Sequence, residues 1–272
     1  MIELFQRYAA LLAAAAALAS VSGCSNHMDT LNQAVSKRHG EVGVIRTSVF
    51  DLVSATRIGT GQADVLRIYI EGDGKAWATR TQPSTDPSPR NLLMAQLAMD
   101  DSRPSVYLAR PCQFYKNPEC RVPVWTDKRF SALVINSYNE ALNKLKIRHG
   151  SQNLELIGYS GGGYIAMAIA GIRTDVTQVQ TIAGNIDPTE WGRHHNLSPL
   201  VGIKDLNQIS RLKLMPQMHF VGTEDKVVPP ALIDSIVRKN GFRCATVSRV
   251  GATHEAGWTG IKDSLREKVS CQ

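Results

Sequence analysis

Apolar positions recur every three or four residues in one long segment of the chain. The repeat starts after residue 126 and consists of Phe130, Leu133, Val134, Tyr138, Ala141, Leu142 and Leu145. This spacing places the side chains on one face of an α-helix. Thr126 or Asp127 can cap the start of that helix. The pattern therefore predicts an amphipathic helix that packs against a core.

Apolar runs bounded by turn residues alternate with helical segments along the rest of the chain. After one or two strands within residues 42–58, strands are predicted at 64–71, 105–109, 154–158, 176–183, 217–221 and 244–250. Further helices are predicted at 91–98, 161–170, 231–239 and 258–269. Each helical crossover must pack its apolar stripe on the sheet, so this alternation predicts an α/β fold with a mostly parallel sheet and helices on both faces.

The first residues have a different pattern from the rest. Arg7 is followed by an apolar run at residues 8–19 and by small residues up to position 24. This order is typical of a secretory signal peptide, and the run is shorter than the roughly twenty residues that span a bilayer. We assign residues 1–23 to a signal peptide, 24–41 to a polar tether with some helical tendency, and 42–272 to one folded α/β domain.

Residues 21–24, Val-Ser-Gly-Cys, resemble the bacterial lipobox. The resemblance implies that Cys24 carries acyl chains and becomes the mature N-terminus, and two or more chains anchor a protein stably. A second interpretation stays open, in which an ordinary signal peptide is cut near Gly23 and Cys24 is unmodified. Ser25 after Cys24 is compatible with sorting to the outer membrane, on its periplasmic side. We therefore expect a lipid-anchored protein of the cell envelope.

The other four cysteines are Cys112, Cys120, Cys244 and Cys271. An even number of cysteines in an exported chain indicates two disulfides. Three pairings can be drawn, of which we favour Cys112 with Cys120 and Cys244 with Cys271. The spacings do not match a zinc site, so we expect no metal.

The formal net charge of +7 is spread along the chain. Lys and Arg are not gathered into a basic run or interleaved with aromatic residues, as a nucleic-acid surface requires. We expect no nucleic-acid partner. The charge favours only weak, salt-dependent contact with anionic lipid headgroups.

Residues 158–162 read Gly-Tyr-Ser-Gly-Gly and lie between an apolar run and a helix. A Gly-x-Ser-x-Gly pattern at a strand-to-helix turn is typical of a nucleophilic serine, because the two glycines let neighbouring backbone pass close to the strained turn. Ser160 is thus the candidate nucleophile, and the amide of Gly161 faces the reacting carbonyl. The alternative is a glycine-rich turn with a structural role alone.

A serine hydroxyl needs a base, and the base needs an acid that holds its tautomer. Asp225 follows a predicted strand and is the candidate acid, with Glu224 as its neighbouring competitor and a structural turn as the alternative role. His254 lies between the last strand and the last helix and is the candidate base. Among the other histidines, His194 and His195 are weaker candidates.

The sequence resembles the α/β-hydrolase fold superfamily over residues 42–272. The resemblance rests on the turn at Gly158 to Gly162, followed by Asp225 and then His254, on alternating strands and helices. The resemblance implies an oxyanion hole made by the amide of Gly161 and one amide of the turn at residues 72–74. We expect the amide of Asp73 to be the second donor. Residues 71–74 read Glu-Gly-Asp-Gly and so depart from the common His-Gly pattern. A tight connection without a catalytic role is the alternative for this turn.

The resemblance implies acyl transfer through an acyl-enzyme, without a metal or organic cofactor. We expect a carboxylic ester hydrolase for small or medium acyl groups. A serine peptidase, a thioesterase or a non-catalytic binding lipoprotein on the same fold remain alternatives, because the fold does not select the substrate. About thirty residues separate the strands at 176–183 and 217–221, too few for a large lid.

Overall fold

The structure is a computed structural model that describes residues 26–59 and 63–271. The predicted signal peptide and the predicted acylation site at Cys24 lie outside these residues. Within the two described ranges, no helix has the length and apolar character needed to cross a membrane.

Eight strands form a single sheet in the order β1-β2-β4-β3-β5-β6-β7-β8. In chain order they are β1 (Gly40–Ile45), β2 (Leu52–Arg57), β3 (Val65–Ile70), β4 (Ser105–Leu108), β5 (Asn153–Tyr159), β6 (Val176–Ile182), β7 (Gln217–Gly222) and β8 (Ala245–Val250). The pairs β1–β2 and β2–β4 are antiparallel, and every pair from β4 to β8 is parallel. The mostly parallel sheet is therefore confirmed, and residues 42–58 contribute to two strands.

Helices connect the strands and cover both faces of the sheet. They are α1 (His27–Ser36), α2 (Leu93–Asp100), α3 (Val122–Trp125), α4 (Ala132–His149), α5 (Gly161–Ile172), α6 (Pro188–His194), α7 (Ser210–Leu214), α8 (Pro230–Asn240) and α9 (Lys262–Arg266), the last preceded by a 3₁₀ turn at Trp258–Ile261. Buried residues of α4, α5, α7 and α8 form one core with one face of the sheet. Buried residues of α1, α2 and α9 form a second core on the other face.

The segment predicted as a tether is part of the folded domain. Residues 27–36 form α1, whose Asn26 side chain caps the first turn through the amide of Met28. Leu31 and Val35 are buried in the second core, and β1 already begins at Gly40. Two apolar residues four positions apart are enough to dock a polar helix on the sheet. The domain boundary at residue 42 is therefore wrong, because the described fold already includes α1 and the start of β1.

The long amphipathic helix begins later than its pattern predicts. Helix α4 starts at Ala132, after Ser131, so neither Thr126 nor Asp127 caps it. Residues 126–131 instead form turns, in which the amide of Lys128 bonds to the carbonyl of Pro123. Phe130 is still buried in the core beneath α4. Apolar periodicity therefore identified the buried face, except at Leu133, which is 52% exposed, but not the residue at which the helix starts.

The two predicted disulfides are confirmed. Cys112 is paired with Cys120 across a short loop, and their Cα atoms are 5.7 Å apart. Cys244, just before β8, is paired with Cys271 near the C-terminus, with Cα atoms 4.6 Å apart. The second bridge fixes the last residues to the edge strand of the sheet.

A buried charge cluster lies under β3, on the face that carries α2 and α9. The Arg67 side chain is fully buried and pairs with Asp101, and its Nε lies 3.2 Å from Glu155 Oε2. A guanidinium N–H also donates to the carbonyl of Leu265, and Tyr69 donates to Asp101 Oδ2 at 2.7 Å. One arginine thus links β3, the end of α2, β5 and the C-terminal helix.

Candidate active site

Ser160 is the single residue between the end of β5 and the start of α5. Its φ of 49° and ψ of −122° are strained for a residue with a side chain. The strained turn is held by two backbone hydrogen bonds, from Ser160 N to Ile182 O at 3.1 Å and from Asn185 N to Ser160 O at 2.8 Å. The serine hydroxyl is thereby presented at the carboxyl edge of the parallel sheet.

The two outer glycines of the Gly-x-Ser-x-Gly pattern are required by close backbone contacts. A Cβ on Gly158 would overlap the carbonyl oxygen of Gly162. A Cβ on Gly162 would lie 2.5 Å from the carbonyl oxygen of Ile70 and 2.6 Å from that of Glu71. Glycine at 158 therefore lets the turn fold against its own backbone, and glycine at 162 lets it approach the end of β3.

The structure brings Ser160, His254 and Asp225 together in one hydrogen-bonded chain. His254 Nε2 lies 3.0 Å from Ser160 Oγ, and His254 Nδ1 lies 2.8 Å from Asp225 Oδ2. The side chain of Asp225 is fully buried, and its second oxygen accepts hydrogen bonds from the amides of Val227 and Val228, both at 2.8 Å. The competitor Glu224 is exposed to solvent. Asp225, and not Glu224, is therefore the carboxylate that contacts His254.

Two aromatic side chains hold the backbone of His254. The hydroxyl of Tyr159 and the indole N–H of Trp258 both donate to the carbonyl of His254, at 2.9 Å and 3.1 Å. The Tyr159 and His254 rings also lie near each other, with centroids 5.5 Å apart. Sequence reasoning missed both contacts. Tyr159 is 95 residues from His254, and Trp258, only four residues away, belongs to no local pattern that marks its indole as a donor.

The turn at residues 72–74 lies directly beside the serine. A Cβ on Gly72 would lie 3.1 Å from Ser160 Cβ, and a Cβ on Gly161 would overlap the Asp73 carboxylate. The Gly72 amide donates to Glu71 Oε1 at 2.8 Å, and the Gly72 carbonyl accepts from Gln113 Nε2 at 3.1 Å. Of the predicted oxyanion residues, Gly161 and Asp73 are therefore neighbours next to Ser160.

Two buried arginines form salt bridges with the Asp73 carboxylate. Arg110 Nη1 lies 2.8 Å from Asp73 Oδ1, and Arg129 Nε lies 2.8 Å from Asp73 Oδ2. The arginine side chains are 5% and 9% exposed. They also contact each other, since Arg110 donates to the carbonyl of Arg129, and both guanidinium carbons lie 5.0 Å from the centroid of the Phe130 ring. Sequence reasoning missed this cluster.

Glu71, the residue directly before the turn at 72–74, is fully buried. Burial raises the pKa of its carboxyl to about 7, although hydrogen bonds from the Gly72 amide and the Tyr107 hydroxyl and the charge of Arg110 act in the opposite direction. The carboxyl therefore loses its proton near neutral pH while it is bonded to the turn that faces Ser160.

The raised pKa of Glu71 predicts a pH-dependent stability difference. The folded protein holds a proton on Glu71 between pH 4.5 and about 7, whereas the unfolded chain does not, so stability falls as the pH rises through this window. Near pH 5, the free energy of unfolding of Glu71→Gln is expected to be close to that of wild type. At pH 8 the variant should be more stable by roughly 3 kcal/mol, because each pKa unit corresponds to about 1.36 kcal/mol. Urea unfolding at both pH values measures this. A stability difference between the two proteins that stays constant with pH would contradict a neutral Glu71 below pH 7.

No protein-family profile matches the sequence. No curated protein matches it either. Solved structures are similar to this chain at low sequence identity.

An α/β serine hydrolase homologue from Coxiella burnetii is 17% identical with a TM-score of 0.55, over 83% of this chain and 93% of that one. An α/β serine hydrolase without a lid from Xanthomonas campestris is 12% identical with a TM-score of 0.53, over 85% and 97%. An esterase from Pyrococcus furiosus is 11% identical with a TM-score of 0.57, over 85% and 89%.

The chain has the α/β-hydrolase fold. As the sequence predicted, the described residues of this α/β-hydrolase domain include no large lid: only the short helices α6 and α7 lie between β6 and β7. Trp191 of α6 donates its indole N–H to the carbonyl of Val227 at 2.6 Å, and His195 Nε2 lies 2.8 Å from the same oxygen. Trp191 and His195 therefore support the loop that carries Asp225, and the histidine that contacts Ser160 is His254.

Proposed function

We propose that the protein is a serine hydrolase that cleaves carboxylic esters through an acyl-enzyme. The observation that carries this proposal is the hydrogen-bonded chain from Ser160 through His254 to Asp225 at the strained turn. Ser160 Oγ attacks the ester carbonyl while His254 Nε2 takes its proton. The tetrahedral intermediate then expels the alcohol, which receives that proton from His254. A water molecule, deprotonated by His254, releases the acid and restores Ser160.

We propose that the negative charge of the tetrahedral intermediate is stabilised by the amides of Gly161 and Asp73. Gly161 is the first residue of α5, where no carbonyl one turn earlier is present to accept from its amide. In the turn beside it, the amide of Gly72 is already bonded to Glu71, which leaves the next amide, that of Asp73, for the substrate. Each such donor is worth on the order of 3 kcal/mol in the transition state.

Arg110 and Arg129 act in this scheme as positioning residues for Asp73. Arg129→Gln removes one of the two groups that hold the carboxylate, so the Asp73 amide loses its fixed direction. We expect kcat for an ester to fall by up to about 10²-fold with little change in KM, because the donor acts mainly in the transition state. Arg121→Gln, an exposed arginine in the same loop, is the matched control. A rise in KM as large as the fall in kcat would contradict the positioning role. Unchanged kcat in a folded Arg129→Gln protein would also contradict it.

The substrate class is tested with matched ester, thioester and peptide substrates. We expect the highest kcat/KM for p-nitrophenyl esters of short and medium acyl chains, and a large loss for each active substrate in His254→Ala. Preference for an acyl thioester or a peptide p-nitroanilide would replace the ester proposal with a thioesterase or a peptidase. Absence of all three activities in the folded protein would favour a binding role.

We also propose that Cys24 is acylated and anchors the protein in the bacterial envelope, on the periplasmic side of the outer membrane. The proposal is supported by the lipobox-like sequence at residues 21–24 and by the preceding signal-like segment. The folded domain begins within a few residues of Cys24, since α1 starts at His27. Acylated Cys24 would therefore hold the domain close to the lipid.

A further inference from the structure

Helix α1 begins at the edge of the sheet that carries Ser160. The imidazole Nε2 of His27, its first residue, lies 4.0 Å from Asp86 Oδ2, in the loop that follows the carboxyl end of β3. At the other end of the helix, Arg38 Nε lies 3.0 Å from Asp100 Oδ1, at the opposite edge of the sheet. The helix thus runs from the catalytic edge to the far edge, with its N-terminus on the catalytic side.

A short series of contacts connects this N-terminus to Ser160. Pro87, the residue after Asp86, accepts a hydrogen bond from Gln113 Nε2 at 3.3 Å, and the same amide nitrogen bonds to the carbonyl of Gly72 at 3.1 Å. Gly72 packs against Ser160. The chain therefore enters the fold close to the catalytic turn.

Cys24 is three residues before His27. Three residues span at most about 11 Å even when fully extended. Acyl chains on Cys24 would therefore hold the bilayer surface within about one helix diameter of the start of α1. This step rests on the acylation of Cys24 proposed above.

Two loops on the same edge have the composition of a surface that contacts anionic lipid. Residues 71–92 and 109–131 follow β3 and β4, and we call them the anchor-side loops. Within these fully described loops, the exposed basic residues are Arg80, Arg90, Lys116, Arg121 and Lys128. They outnumber the exposed acids: Glu119 is exposed, and Asp86 has a side chain that is 43% exposed. Trp77 and Val122 are exposed apolar side chains, 43% and 42% accessible. Basic residues near a membrane are attracted to anionic headgroups, and tryptophan favours the interface.

The anchor-side loops are joined into one surface. The indole N–H of Trp125 donates to the carbonyl of Ser84 at 3.1 Å, and the amide of Phe114 donates to Ser88 Oγ at 2.6 Å. The Cys112–Cys120 disulfide closes the second loop. The surface is thus fixed in position relative to the start of α1.

We propose that the anchor-side loops lie on an anionic bilayer, so that the site at Ser160 opens at the lipid surface. The short link to Cys24 brings the bilayer to this edge of the sheet. The cations then bind the headgroups, and Trp77 enters the interface.

Quenching of tryptophan fluorescence by brominated lipid tests this orientation. The full, acylated protein is reconstituted in vesicles of phosphatidylethanolamine and brominated phosphatidylglycerol. Clear quenching is expected in wild type, with most of it lost in Trp77→Phe and a several-fold reduction in the double variant Arg80→Glu, Arg121→Glu. Arg148→Glu is the matched control, because Arg148 is exposed at the end of α4, on the opposite edge of the sheet. Quenching in this variant should equal quenching in wild type.

The outcomes separate the orientation from the proposals on which it rests. Quenching that is absent, or that survives Trp77→Phe unchanged, in a protein whose N-terminal peptide carries acyl chains would overturn the orientation alone. An N-terminal peptide without acyl chains would overturn the anchor and the orientation together. Ester hydrolysis by the same preparation reports separately on the proposed hydrolase.

Discussion

Ser160→Ala is expected to lower kcat for ester hydrolysis by about 10⁴-fold or more, because the nucleophile of the acyl-enzyme pathway is removed. The alanine methyl group occupies the same strained turn, where the backbone is held by Ile182 and Asn185. The unfolding midpoint should therefore stay close to that of wild type. Initial rates with a p-nitrophenyl ester and a thermal unfolding curve for each protein measure the two effects.

The control for this prediction is Ser198→Ala, a serine in the exposed loop after α6, which should retain full activity. His254→Ala should lose activity to a similar extent, and the double variant Ser160→Ala, His254→Ala should lose little more than either single variant, since the residues act as a unit. Residual activity of Ser160→Ala within tenfold of wild type would place the chemistry on another residue.

Arg67→Met should be the most destabilising single substitution outside the turn at Ser160. The change removes the cation between Asp101 and Glu155. The Asp101 carboxylate then stays buried, and the Tyr69 hydroxyl is the side chain that still donates to it. Breaking one side of a buried ion pair costs about 3–5 kcal/mol. Urea unfolding at neutral pH measures the loss.

Arg193→Met provides the control for this stability prediction. Arg193 is 64% exposed and pairs with Glu190 on the surface of α6. A surface ion pair contributes about 0–1 kcal/mol, so this variant should unfold close to wild type. An Arg67→Met protein as stable as Arg193→Met would show that the buried cluster does not hold β3, β5 and the C-terminal helix together.

The features that the sequence predicted depend on local patterns. Strand and helix alternation follows from apolar spacing. The glycines at 158 and 162 indicate the turn, because a side chain at 158 would overlap the backbone of Gly162 and one at 162 would overlap the carbonyls of Ile70 and Glu71. Asp225 and His254 could be found because each lies in a loop just after a strand. In a parallel sheet, such loops meet at one edge.

The features that the sequence did not predict depend on contacts between distant residues. Arg110 and Arg129 are 37 and 56 residues from Asp73, and no local pattern marks either as its partner. The docking of α1 was missed because a helix with only two buried apolar residues has the composition of a polar linker. Its packing becomes evident only when Leu31 and Val35 meet the second core.

Labelling with a fluorophosphonate tests the central claim, that Ser160 is an activated nucleophile. The probe reacts with a serine whose hydroxyl is deprotonated by a neighbouring base, and the intact mass of the full chain records each adduct. The account predicts a single adduct that maps to Ser160, absent in Ser160→Ala and almost absent in His254→Ala. A folded wild-type protein without an adduct, or with an adduct on another residue, would contradict it.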